Sequence, residues 1–112
     1  MKPIKTKLTP DQVFALEEIM KHLPKFTPSQ ELEKVTKSII VEVADKIHVK
    51  YRKIVKSHDL FNARTKISFE LKYHEAFALV VYIKLMLPAL DATSKPHNDL
   101  LMLYNHLHQK IQ

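Results

Sequence analysis

Five basic residues lie close together in the middle of the chain, where no acidic residue occurs between Asp45 and Asp59. A helix turns by about 100° per residue, so these residues would span roughly 160° of arc, opposite an apolar stripe of Ile47, Tyr51 and Ile54. Positive charge on one face is what contact with the phosphates of nucleic acid requires. The candidate nucleic-acid-binding residues are Lys46, Lys50, Arg52, Lys53 and Lys56.

A solvated lysine face explains the same pattern without a ligand. The chain has only two arginines, Arg52 and Arg64. Arginine is the residue that most often recognises guanine, and its guanidinium group binds phosphate through two parallel hydrogen bonds, which lysine cannot form. The basic face also carries no aromatic side chain on which a base could stack. If this face binds nucleic acid, we expect weak, salt-sensitive and non-specific contacts with the backbone.

The chain has seven histidines, which raises the question of a metal-dependent enzyme. Three of them follow an acidic residue by about one helical turn, in the pairs Glu18/His22, Asp45/His48 and Glu70/His74. A di-metal site in a helical bundle uses Glu-x-x-His twice, and that motif does not occur here; the nearest sequence is Asp45-x-x-His48.

His74-Glu75 resembles the start of a zinc-protease helix, but Ala78 stands where the second histidine is needed. Glu75 is better explained as a first-turn acid that complements the helix dipole. We therefore predict no catalytic residue, no cofactor and no metal site.

The chain contains no glycine and no cysteine. Loops that cradle phosphates, and the nucleophile elbow of hydrolases, need glycine where the backbone makes a tight approach. Without cysteine there is no disulfide, thiolate zinc site or cysteine nucleophile. The longest apolar run is 76–83, whereas a membrane span needs about 20 residues. Since Met1–Pro10 also lacks the apolar centre of a signal peptide, we expect a cytoplasmic protein with no membrane or evident small-molecule partner.

Helix start signals divide the chain into four helices. Thr9 is a good N-cap, followed by Pro10 in the first turn and by Gln12 at the position that completes a capping box. The same chemistry recurs at 27–30, where a second helix should begin and run to about Lys56. The third helix is apolar nearly all round over 76–87, as in a buried central helix. The fourth should begin after Thr93 or Ser94.

A short strand is predicted at 67–73, where apolar and polar residues alternate. Shifting the chain by 63 residues aligns Ile4 with Ile67 and Leu8 with Leu71. If the match reflects a repeat, residues 3–8 and 66–72 pair as a two-stranded ribbon; the alternative is a chance match of apolar positions. The predicted fold is a mainly α, four-helix, bundle-like single domain over 1–112, with or without this ribbon.

The apolar faces exceed what one small core covers, because the third helix is apolar all round and the fourth adds Leu101 and Met102 beside its main stripe. An excess of this kind favours association with a protein partner or with a second copy of the chain. The leading hypothesis is a non-enzymatic interaction or structural protein, self-associating as a homo-oligomer. The alternative is a nucleic-acid accessory protein that uses the lysine-rich face.

Overall fold

The computed structural model describes residues 3–25, 31–57 and 66–112. Two strands and four α-helices occur in this part of the chain, with a 3₁₀ turn after α1 and another after α3. The elements are β1 (Ile4–Leu8), α1 (Pro10–Met20), a 3₁₀ turn (Leu23–Lys25), α2 (Glu31–Ser57), β2 (Ile67–Leu71), α3 (Tyr73–Met86), a second 3₁₀ turn (Leu87–Ala89) and α4 (Lys95–Ile111). The predicted four-helix fold with a ribbon is confirmed.

The helix starts follow the predicted cap chemistry. Thr9 accepts a hydrogen bond from the Gln12 amide at 3.2 Å, and the Gln12 side chain accepts one from the Thr9 amide at 2.9 Å. Ser94 caps α4 by accepting from the His97 amide at 3.3 Å. Such caps satisfy backbone donors that have no partner within the helix. The cap predicted at 27–30 lies outside the described residues.

The two strands pair antiparallel, with Ile4 opposite Leu71 and Leu8 opposite Ile67. Alternation of side chains sets the two faces of this ribbon. Ile4, Leu8 and Leu71 are buried on the inner face, against the helices. The outer face is exposed to solvent, and because every second residue points there, it carries polar side chains from both strands.

A single apolar cluster holds the helices to the inner face of the ribbon. The two longer helices, α2 and α4, each pack against both α1 and α3. Leu16, Leu79 and Leu107 are almost completely buried in this cluster. Truncation of such a leucine to alanine costs about 2–5 kcal/mol, so this core fixes where the helices lie relative to the ribbon.

Helix α3 is less completely buried than its composition predicts. Ala76, Leu79 and Ile83 face the core, but Phe77 and Leu85 are exposed beside Lys84. The solvent-facing side of α3 is therefore marked by Lys84, as predicted, but it also carries an apolar stripe.

Candidate functional site

Residues of the ribbon and of two helices line an open groove of about 700 Å³. Residues from β1, β2, α2 and α4 line it, together with Lys66, which precedes β2. We call this the basic groove; its charged and polar lining residues, apart from the buried Thr6, are Lys5, Lys7, Lys50, Lys66, Ser68, Glu70, His106 and Lys110.

Strand alternation explains why the ribbon contributes polar side chains. Lys5 and Lys7 on β1 are exposed, whereas their neighbours Ile4, Thr6 and Leu8 are buried. On β2, Ser68 and Glu70 are exposed in the same way. The register places Lys5 opposite Glu70 and Lys7 opposite Ser68, so the four side chains form two cross-strand pairs on the outer face.

The two long helices supply the rest of the lining. Lys50 of α2 is half-buried, and His106 and Lys110 of α4 are exposed. His106 and Lys110 are four residues apart, so they project from the same side of α4. The Lys110 ammonium donates a hydrogen bond to the carbonyl oxygen of Lys5, which ties the end of α4 to β1.

The groove is strongly positive. Among the residues that the structure describes, five lysines and one acidic residue, Glu70, line it, which gives a net charge of +4 when His106 is neutral. Like charges brought together from several elements produce a potential that attracts anions and raises their local concentration. Phe69, the aromatic residue of the lining, is buried, so its ring offers no platform for stacking a base.

The predicted basic face of α2 is divided by the structure. Lys50 lines the basic groove, and Arg52, Lys53 and Lys56 are exposed. Lys46 instead donates to the carboxylate of Glu75 at a distance of 2.8 Å. Since Glu75 is only 3% exposed, Lys46 neutralises a buried charge at the start of α3.

Glu75 links the start of α3 to α2 through its ion pair with Lys46. Its carboxylate also accepts a hydrogen bond from the Lys72 amide at 2.8 Å. Burial raises the pKa of Glu75, but the hydrogen bonds from Lys46 and the Lys72 amide outweigh it, so the pKa lies below its ordinary value. The first-turn role predicted for Glu75 agrees with this geometry, which adds an ion pair to α2.

The fold pairs one of these histidines with an acidic residue that the sequence pattern did not indicate. His48 lies 2.9 Å from Glu17 of α1, rather than pairing with Asp45 on its own helix. Within residues 3–25, 31–57 and 66–112, no three histidine or acidic side chains are arranged to hold a metal ion.

Sequence reasoning did not find the other four lysines of the groove. Lys5, Lys7, Lys66 and Lys110 are far from Lys50 in sequence, and none belongs to a dense basic run. The alternation of Lys5 and Lys7 with apolar residues in the predicted ribbon was the available signal, since it places both on the solvent side.

A second surface is apolar. A groove of about 500 Å³ runs between α3 and α4, and its lining includes Tyr73, Phe77, Val81, Leu85 and Tyr104. Phe77 and Leu85 are 42% and 38% exposed. Glu33 of α2 and Lys84 also line it. We call this the apolar groove.

Comparisons with protein families, with curated proteins and with solved structures find no significant match. No helix of the described chain is long and apolar enough to cross a membrane. The basic groove and the apolar groove are the candidate functional surfaces of the described residues.

Proposed function

We propose that this protein binds nucleic acid through the basic groove and the neighbouring lysine face of α2. The observation that carries this proposal is the convergence of five lysines, from β1, α2, α4 and the residue before β2, on one open groove. Such a concentration of positive charge destabilises the folded protein because like charges repel, and a bound polyanion relieves that repulsion. Phosphate contact also releases condensed counterions, which favours binding.

Contact is expected mainly with the phosphate backbone. Lys50, Lys66 and Lys110 line the basic groove, and Lys53 lies one turn from Lys50 on the same side of α2. Lysine acts as a mobile point charge toward phosphate. Since no phenylalanine, tyrosine or tryptophan ring is exposed among the described lining residues, base stacking on such a ring is not part of the proposal.

A binding titration with fluorescently labelled duplex and single-stranded DNA tests the proposal. We expect the wild-type protein to bind duplex DNA, with an affinity that falls steeply between about 50 and 200 mM salt. The charge-reversal variant Lys50→Glu/Lys53→Glu should abolish binding. The matched variant Lys21→Glu/Lys34→Glu makes the same change in net charge at exposed positions outside the groove and should retain most of the affinity.

Two outcomes contradict the proposal. The first is the absence of any salt-dependent binding by the wild-type protein to either form of DNA. The second is equal loss of affinity in both charge-reversal variants, because binding would then depend on net charge rather than on this groove. Circular dichroism on each variant checks that the fold is retained.

Self-association through the apolar groove is a second candidate function. Its support is that Phe77 and Leu85 of α3 are large apolar side chains that are exposed and line the apolar groove. Glu33 and Lys84 line the same groove, so a two-fold axis that passes between them would bring Glu33 of each copy close to Lys84 of the other. Opposite charges on one surface fit a second copy of this chain better than a partner of uniform charge.

Sedimentation velocity at micromolar concentration tests self-association. We expect a dimer that Phe77→Glu/Leu85→Glu converts to a monomer, because the new charges would be buried in the interface. The control is Met102→Glu, which adds a charge at a position that is 66% exposed and outside the apolar groove. A strictly monomeric wild-type protein would remove this candidate.

A further inference from the structure

The two halves of the chain repeat one arrangement of elements. Each half has a strand, a short helix, a 3₁₀ turn and a longer helix, in that order. The strands begin at Ile4 and Ile67, and the helices after them begin at Pro10 and Tyr73, so both are offset by 63 residues. The shift found in the sequence therefore relates equivalent elements of the fold.

The ribbon is symmetric about its centre. Ile4 pairs with Leu71, Leu8 pairs with Ile67, and Thr6 pairs with Phe69 at the midpoint. A pseudo-two-fold axis through the midpoint exchanges the halves, as a true two-fold axis would in a dimer of identical chains. Because both strands belong to one chain, their outer faces are free to differ in sequence.

The outer faces do differ, and in charge. The 63-residue offset makes Lys5 equivalent to Ser68 and Lys7 equivalent to Glu70. One half of the outer face therefore presents two donors with positive charge, while the other presents a hydroxyl and a carboxylate. A palindromic target, which offers the same groups to both halves, does not match this surface.

Glu70 is informative because a carboxylate that lines a phosphate-binding groove opposes binding. A carboxylate accepts a hydrogen bond from the N4 amino group of cytosine, lysine donates to O6 and N7 of guanine, and serine contacts several bases. All these base groups lie in the major groove of duplex DNA. The outer face thus combines side chains suited to reading a C–G-containing sequence.

The dimensions of the ribbon fit that role. Two paired strands are about 4.8 Å apart, and the major groove, about 12 Å wide, admits a two-stranded ribbon. With the ribbon inserted, Lys50 from α2 and Lys110 from α4, which line the same groove as the outer-face side chains, would contact the sugar–phosphate backbones that border the major groove. Phosphate contacts then position the ribbon, and its outer face reads bases.

We infer that the ribbon enters the major groove of duplex DNA and reads a short, non-palindromic sequence through Lys5, Lys7, Ser68 and Glu70. This inference rests on the proposed nucleic-acid binding and replaces the non-specific contact expected from the sequence with base recognition.

Selection of bound duplexes from a random-sequence library, followed by sequencing, tests the inference. We expect an enriched motif that contains guanine and cytosine and lacks two-fold symmetry. Replacing guanine by 7-deazaguanine in that motif removes the N7 acceptor and should weaken binding by about 5- to 150-fold. The same replacement in a duplex of unrelated sequence should change little.

Variants then assign the contacts. Glu70→Gln should lose discrimination at a cytosine position while its affinity for unrelated duplexes rises, because a repulsive charge is removed. Glu42→Gln, an exposed acid of α2 outside the basic groove, is the matched control and should leave the motif unchanged. Lys5→Gln/Lys7→Gln should lose the guanine preference.

The outcomes separate this inference from the function on which it rests. Salt-dependent binding to duplex DNA without any enriched motif, or with a palindromic one, overturns base reading by this face and leaves the proposed function standing. An unchanged motif in the Glu70→Gln variant also overturns it. Failure of the wild-type protein to bind any DNA overturns both.

Discussion

Replacing the two helix lysines beside the ribbon gives a quantitative test of phosphate contact. Lys50, Lys66 and Lys110 line the basic groove together with the outer-face side chains of the ribbon, and each phosphate neutralised changes the logarithmic salt dependence of affinity by about −0.9. Three contacts therefore give a slope of about −2.7 or steeper. At about −2.7, the affinity falls roughly 40-fold between 50 and 200 mM salt. Lys50→Gln/Lys110→Gln should reduce the magnitude of the slope by about 1.8. The loss of affinity between 50 and 200 mM salt should then be roughly tenfold smaller than in the wild type.

Fluorescence anisotropy of a labelled duplex, titrated at four or more salt concentrations within this range, measures the slope. Glutamine retains a hydrogen-bond donor and comparable length, so loss of charge is isolated from loss of packing. The control is Lys21→Gln/Lys34→Gln, which removes two exposed charges outside the basic groove. If the slope of the Lys50/Lys110 variant equals that of the wild type or of this control, phosphates do not contact these two lysines.

Three further predictions concern stability and can be measured by thermal and urea unfolding. The Tyr82 hydroxyl donates to the Ile19 carbonyl at 2.7 Å, and Tyr82→Phe should cost about 1 kcal/mol, or roughly 4–8 °C in Tm. Burial raises the pKa of Tyr82 from 10.0 to about 12, so the wild type should lose its advantage over this variant as the pH rises from 10 through 12. The pKa of Glu75 is lowered below 4.5 because hydrogen bonds from Lys46 and a backbone amide outweigh the opposing effect of burial; its stabilisation is present above pH 4.5 and lost as the pH falls further, so Glu75→Gln should show a weaker acid dependence. Thr9→Ala should cost about 1 kcal/mol by removing the cap of α1.

Each stability prediction has a result that contradicts it. Equal pH dependence of the wild type and Tyr82→Phe above pH 10 would show that burial does not hold the hydroxyl neutral. Equal acid dependence of the wild type and Glu75→Gln would show that the ion pair between α2 and α3 does not form. A Thr9→Ala variant as stable as the wild type would mean that the capping box adds nothing to α1.

The local sequence predicts the helices and strands of this fold because helix caps and strand alternation depend on residues close together in the chain. Thr9 and Ser94 cap helices through hydrogen bonds to amides three residues away, and the strand alternation at 67–71 defines one apolar face. The 63-residue shift reaches further, since it pairs two segments that lie in separate halves of the chain. It anticipated the ribbon because both strands carry the same alternation.

The sequence by itself predicted four helices and showed that glycine and cysteine are absent, and it left the ribbon as one of two interpretations. Only the tertiary structure decided which charges meet. Lys46 lies 29 residues from Glu75 and pairs with it, and His48 contacts Glu17 rather than Asp45. Lys50 joins lysines from both ends of the chain in the basic groove. The physical reason is that burial of the apolar faces fixes how the helices cross the ribbon, and the polar side chains acquire their neighbours as a consequence of that packing.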